Sequence, residues 1–262
     1  MVSPLMAAVP EADQGSGKLF LFTAKRLGIP VLKASLYIGT RNSAPSKSIY
    51  QIKVEIVSVN VGLLCRMNNR FTSRFDCDSC LPLEHIKEID QAGLFIKNKN
   101  YRQTLTFDSL HNKVTVEKKG EADKQVISLP RETLDPLSMF ARWYLKEDLP
   151  LNQESRLTIY DGLKLKQIVL CPKLERIKSN LLGEVEAVLL ESTITFSSYG
   201  DKEGTFRIWY SHDSKRIPLR LELELPVGKI QFELVEIRVA RNKMKEGSAD
   251  PSSHSLIKES LA

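Results

Sequence analysis

The sequence predicts a mainly β fold, in which a curved antiparallel sheet forms an open barrel or a sandwich with one helix at about residues 135–146 packed on it. Three observations predict it: apolar and polar residues alternate with a period of two, turn-forming residues separate the alternating segments, and one stretch has a clear helical pattern. The 262 residues, 42% of them hydrophobic, are enough to bury one large core.

The alternating segments predict strands that each bury one face. One apolar face per strand indicates an antiparallel sheet with a wet side, because strands of a parallel sheet covered on both faces read as continuous apolar runs. The pattern is cleanest at 219–225, where Arg220, Glu222 and Glu224 alternate with leucines and are predicted to face water. Segments with this pattern are 19–23, 49–57, 101–107, 114–116, 157–160, 184–191, 205–210, 219–225 and 230–234.

Turn-forming residues join these segments at hairpin distance. They occur at Asp161-Gly162, at 199–204, at His212–Lys215 and at Pro226–Lys229, where Val227-Gly228 predicts a tight hairpin. So many paired strands are expected to curl, because a long flat sheet would expose its apolar face and its edges.

The helix is predicted from its start signals and its spacing. Asp135 is a suitable N-cap and Pro136 suits the first helical position, and Leu137, Phe140, Ala141 and Tyr144 then share one face. We expect this helix to cover an end or a face of the sheet. The segment 61–67 fits either a shorter helix or a crossing strand.

The ends of the chain differ in composition from the middle. Residues 1–17 are predicted to be disordered, and the small apolar stretch Met1–Pro10 resembles either the last part of a secretory signal or an ordinary tail. Residues 18–240 are predicted to form a single β-rich domain, and 241–262 a disordered basic and polar tail. No window reaches the roughly eighteen consecutive apolar residues that a transmembrane helix needs.

The second half of the chain carries motifs of a known family. They are the helix start Asp135-Pro136-Leu137-Ser138, the strand pair around 160–164, the run 206–218 and the closing hairpin 225–234, with weaker matches at 81–83 and 107–108. In this order they resemble the bacterial family called domain of unknown function 3108. The resemblance implies an exported, periplasmic or secreted, β-rich domain with no established enzyme activity. Cys77, Cys80 and the basic tail depart from that family's pattern.

The two cysteines Cys77 and Cys80 form a C-x-x-C motif, and His85 follows shortly after. A redox C-x-x-C is expected at a helix N-terminus, whereas the flanks here indicate strand and turn. A structural zinc site normally needs a second ligand pair, which makes Cys77, Cys80 and His85 weak metal candidates. The pattern favours an ordinary turn disulfide or two inert thiols.

Other catalytic and cofactor motifs are lacking in the sequence. No G-x-S-x-G elbow accompanies the four histidines, and neither phosphate-binding glycine loop occurs, so no catalytic residue and no cofactor is predicted. The net charge of +6 is spread over interleaved basic and acidic residues, and the basic runs have no series of stacking aromatic residues. Nucleic acid is therefore not an expected partner.

The remaining candidate for recognition is a corner formed by Trp209, Asp213 and Arg216, although the pattern favours a structural interpretation in which Asp213 is a turn former and Arg216 its ion-pair partner. Two functions stay open. One is a non-enzymatic periplasmic domain of the cell envelope that binds a lipid or another hydrophobic ligand in an apolar cavity enclosed by its sheet. The other is an interaction or assembly module that docks an envelope protein and has a filled core.

Overall fold

The computed structural model describes residues 17–44, 47–59, 65–94, 97–145, 150–196, 202–225 and 228–240. In these residues the chain forms fifteen strands and one helix. In chain order they are β1 (Gly17–Arg26), β2 (Ile29–Ala44), β3 (Lys47–Ser58), β4 (Cys65–Asp76), β5 (Pro82–Gly93), β6 (Lys99–Asp108), β7 (Lys113–Lys118), β8 (Gln125–Ser128), α1 (Pro136–Leu145), β9 (Ser155–Tyr160), β10 (Leu165–Leu170), β11 (Lys173–Ser179), β12 (Gly183–Phe196), β13 (Lys202–Ser211), β14 (Pro218–Leu225) and β15 (Gly228–Ala240).

Thirteen of the strands form one antiparallel sheet. Its order is β11-β12-β13-β14-β15-β1-β2-β3-β4-β5-β6-β7-β8, so two runs of consecutive hairpins are joined where β15 pairs with β1. The sheet is curved but not closed, since its edge strands β8 and β11 do not pair with each other. The predicted mainly β fold with an open, curved antiparallel sheet is therefore confirmed.

Alternation in the sequence builds the inner face of this sheet. Residues opposite each other on paired strands point to the same side, so apolar positions on neighbouring strands line up in rungs. One rung runs from Leu234 on β15 through Phe22 on β1 and Ala34 on β2 to Ile56 on β3. Phe22 and Leu234 are almost fully buried there.

The helix and the two-stranded sheet β9–β10 lie against this inner face. Phe140 of α1 packs on Tyr210 of β13 with ring centroids 5.6 Å apart, and Tyr144 packs edge-on against Phe20 of β1 at 5.8 Å. Ile168 and Leu170 of β10 belong to the same apolar core. In the described part of the chain, α1 and the β9–β10 hairpin thus occupy the space that the curved sheet partly encloses.

The predicted helix is confirmed with its N-cap. The Asp135 carboxylate accepts hydrogen bonds from the backbone amides of Leu137 (2.8 Å) and Ser138 (3.2 Å), which satisfies donors that a helix start leaves free. None of the described helical segments is long and apolar enough to cross a membrane. In the undecided segment 61–67, residues 65–67 begin strand β4. Residues 61–64, like 1–16 and 241–262, lie outside the described residues.

Candidate functional site

The strongest candidate for a binding site is the point at which the β9–β10 hairpin leaves the main sheet. Only Cys171 and Pro172 separate β10 from β11, so the two strands form one bent segment. β11 pairs with β12 from Lys173 opposite Leu189 to Ser179 opposite Gly183. Beyond Leu189, β12 continues to Phe196. The residues that precede β11 do not follow it there, because they turn away from β12 and form β10.

This departure leaves two strand edges facing a cleft of about 490 Å³. From Leu190 to Phe196, β12 pairs only with β13, and β10 pairs only with β9, among the described strands. The far edge of β9 is covered by Leu134, whose backbone bonds to Thr158 and Tyr160. We name this feature the β10–β12 cleft, and its lining consists of Lys166, Gln167, Ile168, Val169, Ser192, Thr193 and Glu203.

The two faces of β10 differ in exposure. Leu165 and Val169 are 48% and 41% exposed on the outer face, whereas Ile168 and Leu170 are buried on the core face. Across the cleft, Ser192 is buried and Thr193 is exposed. The cleft therefore has apolar side chains on both faces of β10 and the polar Ser192 and Thr193 on β12.

The turn of the β9–β10 hairpin is anchored deep in the sheet. The buried Lys87 of β5 donates to the Asp161 carbonyl at 2.6 Å, and Gln103 of β6 donates to the Gly162 carbonyl at 3.1 Å. Burial lowers the pKa of Lys87, although Asp161 opposes that shift. Burial would raise the pKa of Asp161, but Lys166 (2.7 Å) and two backbone amides hold it below its usual value.

A buried Ser, His and Asp also meet on the inner face, at the start of α1. Ser73 of β4 donates to one Asp135 oxygen at 2.6 Å, and His85 Nδ1 lies 3.1 Å from the other, close enough for an ion pair but not aligned as a hydrogen bond. Both Ser73 and His85 contact the carboxylate, whereas in a catalytic triad the imidazole stands between the two others. All three side chains are at most 2% exposed. The cluster therefore fixes the helix to β4 and β5.

The cysteine motif lies in the turn between β4 and β5. Cys80 is buried with a left-handed backbone (φ 58°), Cys77 is half-buried, and both are present as thiols in the described structure. Asp76 organises the turn by accepting from the amides of Asp78 and Ser79. His85 faces Asp135 instead, and no three His, Cys, Asp or Glu side chains of the described residues are arranged to hold a metal ion.

The structure does not bring Trp209, Asp213 and Arg216 together as one recognition corner. Asp213 accepts from Ser211 Oγ and from the amides of Lys215 and Arg216, as a turn former does. The Arg216 guanidinium reaches the Trp143 carbonyl near the end of α1 at 3.4 Å. The Trp209 indole points away from α1 and donates to Glu175 of β11 at 2.8 Å.

A network of ion pairs covers the face of β11–β15 that carries Trp209. Arg207 contacts Glu191, Glu222 and Glu224, and Lys229 also contacts Glu222 at 2.5 Å. Glu222 is only 2% exposed, so its predicted position in water is wrong. Arg207 and Lys229 cover its carboxylate, and Arg220 of β14 donates to the Lys178 carbonyl of β11 at 3.1 Å.

Sequence reasoning missed the β10–β12 cleft and the polar cluster at Asp135. The cleft had one signal, namely Pro172 between two short strand-like segments, because proline interrupts strand pairing. The cluster had none, since Ser73 lies 62 residues before Asp135 in the chain.

Comparisons with known proteins agree with this fold. The family model DUF3108, described as a protein of unknown function, matches residues 21–235. No curated protein sequence matches the chain. Among solved structures, the chain is similar to a β-barrel-like protein of the domain of unknown function DUF1849 from Brucella abortus, with a TM-score of 0.55 and 10% identity over 87% of this chain and 99% of that one. At that identity the likeness concerns the fold alone.

Proposed function

The chain belongs to the DUF3108 family, whose members are described as proteins of unknown function, and from this premise we propose that it is a non-enzymatic module that binds a protein partner outside the cytoplasm. The observation that supports this proposal is the occupied inner face of the sheet. α1 and the β9–β10 hairpin contribute Phe140, Trp143, Ile168 and Leu170 to one apolar core with the strands around them.

A carrier of lipid or another hydrophobic ligand would need that inner face to be open. Ligand sites of that kind are concave and mostly apolar, and typically measure about 300–1,000 Å³. The β10–β12 cleft is large enough but opens between strand edges, and Lys166, Gln167, Thr193 and Glu203 contribute to its lining. Its chemistry suits a polypeptide with its own backbone groups better than an acyl chain.

The buried polar residues support a structural role over catalysis. Ser73 and His85 are bound to the same carboxylate, and none of the three groups is accessible to a substrate. Lys87 is buried and engaged with the Asp161 carbonyl. These side chains position α1 and the hairpin, which is the work expected of a rigid binding scaffold.

Export is proposed from the composition of Met1–Pro10, which is small and apolar as the end of a secretory signal is. Fractionation of cells that express the full-length gene product tests it. We expect the chain in the periplasmic or secreted fraction, and recovery in the cytoplasm alone would contradict export.

Native mass spectrometry of the protein purified from its own host tests the choice of ligand. We expect a complex with one defined protein and no lipid-sized adduct on the free chain, because the apolar interior is occupied. A stoichiometric lipid adduct that survives gentle desolvation would show that the interior opens, and the protein-binding proposal would then be wrong.

A further inference from the structure

We propose that the β10–β12 cleft binds an extended segment of a partner protein as an added strand, an inference that rests on the proposed protein-binding function. The first argument is hydrogen bonding. Backbone amides and carbonyls at a strand edge are strong donors and acceptors, and buried ones are almost always paired. Both walls of the cleft carry such an edge: residues Leu190–Phe196 of β12 pair only with β13, and β10 pairs only with β9, within the described strands.

Another polypeptide backbone presents the donors and acceptors with which an unpaired strand edge forms hydrogen bonds. A strand rises about 3.3 Å per residue, so the four β10 residues that line the cleft extend over about 13 Å. Addition of a strand to such an edge is a known mode of peptide recognition, in which main-chain bonds give affinity and alternate side chains give specificity.

The second argument is the contrast with the other edges of the sheet. Proteins protect free edges with very short strands or with charged side chains. Strand β8 has four residues, and β11 exposes Lys173, Glu175, Arg176 and Lys178. Strand β10 has six residues and one charged side chain, Lys166, which is paired with Asp161, and Leu165 and Val169 are exposed on its outer face. Such an edge is suited to docking.

The lining specifies the chemistry of the segment. In a segment bound beside β10, side chains on the outer face would lie next to Leu165 and Val169. Side chains on the inner face would lie next to Ile168 and Leu170, so apolar residues are favoured on both faces of the segment. Lys166 is neutralised by Asp161 at 2.7 Å, whereas the exposed Glu203 adds a negative charge to the lining. The occupant is therefore an extended, mostly apolar segment with a basic residue opposite Glu203.

A random peptide library displayed on phage and selected against the full-length protein provides the probe. We expect selected peptides to be rich in apolar residues and to carry Lys or Arg. When the best peptide is bound, hydrogen exchange should slow at the amides of Leu165–Leu170 and Leu190–Phe196. A Trp at the exposed cleft residue Thr193 should weaken its binding about tenfold or more.

Matched variants separate the cleft from other surfaces. Thr106→Trp makes the same change at an exposed position on β6, and it should leave the affinity within about twofold. Val169→Lys should weaken binding, whereas Val126→Lys on the β8 edge should not. Circular dichroism and melting curves confirm that each variant is folded.

Three results would overturn the inference: no enriched peptide, slowed exchange at another surface, or equal loss of affinity for Thr193→Trp and Thr106→Trp. Peptide binding at another surface would contradict the cleft as the site but would be consistent with the proposed protein-binding function. A lipid adduct in the native mass spectrum would contradict the protein-binding function itself. A concentration-dependent dimer that Thr193→Trp abolishes would identify a second copy as the occupant and would contradict a separate partner.

Discussion

Asp135 shows how one residue connects the helix to the sheet. Its carboxylate caps α1 and at the same time binds Ser73 on β4 and contacts His85 on β5. The sequence could predict the cap, because it depends on neighbours in the chain, but not the two sheet contacts, which depend on the curvature of strands far away in sequence. The start of α1 is therefore in contact with polar residues on the inner faces of both β4 and β5.

Replacing Asp135 by Asn should lower the free energy of unfolding at neutral pH by about 1–3 kcal/mol. Asn can still cap a helix, but its single carbonyl oxygen cannot replace the two carboxylate oxygens that contact Ser73, His85 and two backbone amides. Urea denaturation measures the change. Asp108→Asn is the control, since Asp108 accepts from the His111 amide in an exposed turn, and it should have almost no effect. Equal effects of the two substitutions would contradict the role of Asp135 as the link between helix and sheet.

The same pair of proteins should differ in pH dependence. Burial alone would raise the pKa of Asp135, but His85, Ser73 and the Leu137 amide lower it below its ordinary value. A carboxyl with a lowered folded pKa stabilises the protein fully above its unfolded pKa of about 3.9, and the contribution disappears as the pH falls through the folded pKa. The stability gap between wild type and Asp135→Asn should therefore shrink as the pH falls below about pH 4. A constant gap down to pH 2 would contradict it.

The strands differ in how well their sequences predict them. β14 and β15 were predicted from clean alternation, whereas β5 was not. His85, Lys87, Ile89 and Gln91 all lie on its buried face, and three of these four residues are polar and hide the pattern. Asp135 contacts His85, the β9–β10 hairpin binds Lys87, and Asn69 binds Gln91. Alternating hydrophobicity predicts a strand only when the buried residues of that strand are apolar. It fails where the inner face is polar.

On β14, Glu222 is buried because Arg207 and Lys229 cover its carboxylate. Glu222→Lys should lower the free energy of unfolding by about 3–5 kcal/mol, because it leaves Arg207 and Lys229 facing a third positive charge at a buried position. Glu224→Lys is the matched control: Glu224 also contacts Arg207 but its side chain is 54% exposed, so about 1 kcal/mol or less is expected. Equal melting temperatures would show that Glu222 faces water after all.

The docking of the β9–β10 hairpin depends on Gly162. Its φ of +85° favours glycine, and a Cβ there would lie 2.6 Å from the Gln103 amide oxygen. Gly162→Ala should therefore destabilise the protein clearly more than Gly120→Ala, where φ is +91° and a Cβ would meet nothing within 4 Å. Thermal melts of the two variants measure the difference. If they match, the hairpin turn is not held tightly against β6.

For the whole molecule, the decisive property is how the interior of the open sheet is filled. The sequence predicted a curved sheet with a helix on it but left open whether a cavity remained. The curvature of the sheet results from small twists between neighbouring strands that accumulate over thirteen strands, and no local sequence pattern predicts the total. Phe140 is part of this filling, with its ring stacked on Tyr144 and tilted against Tyr210.

Phe140→Ala should therefore lower the free energy of unfolding by about 3–5 kcal/mol and open a cavity in the apolar core. An apolar fluorescent probe such as N-phenyl-1-naphthylamine should bind this variant and not the wild-type protein, because an engineered apolar cavity stays dry and accepts apolar molecules. Leu163→Ala, at a side chain that is 51% exposed, is the control and should alter neither stability nor probe binding. Near-ultraviolet circular dichroism must remain native-like in both variants, so that probe binding reports a cavity and not loosened packing. Saturable binding of the probe to the wild-type protein would mean that the sheet encloses an accessible apolar site, and the molecule would then work as a carrier of hydrophobic ligands.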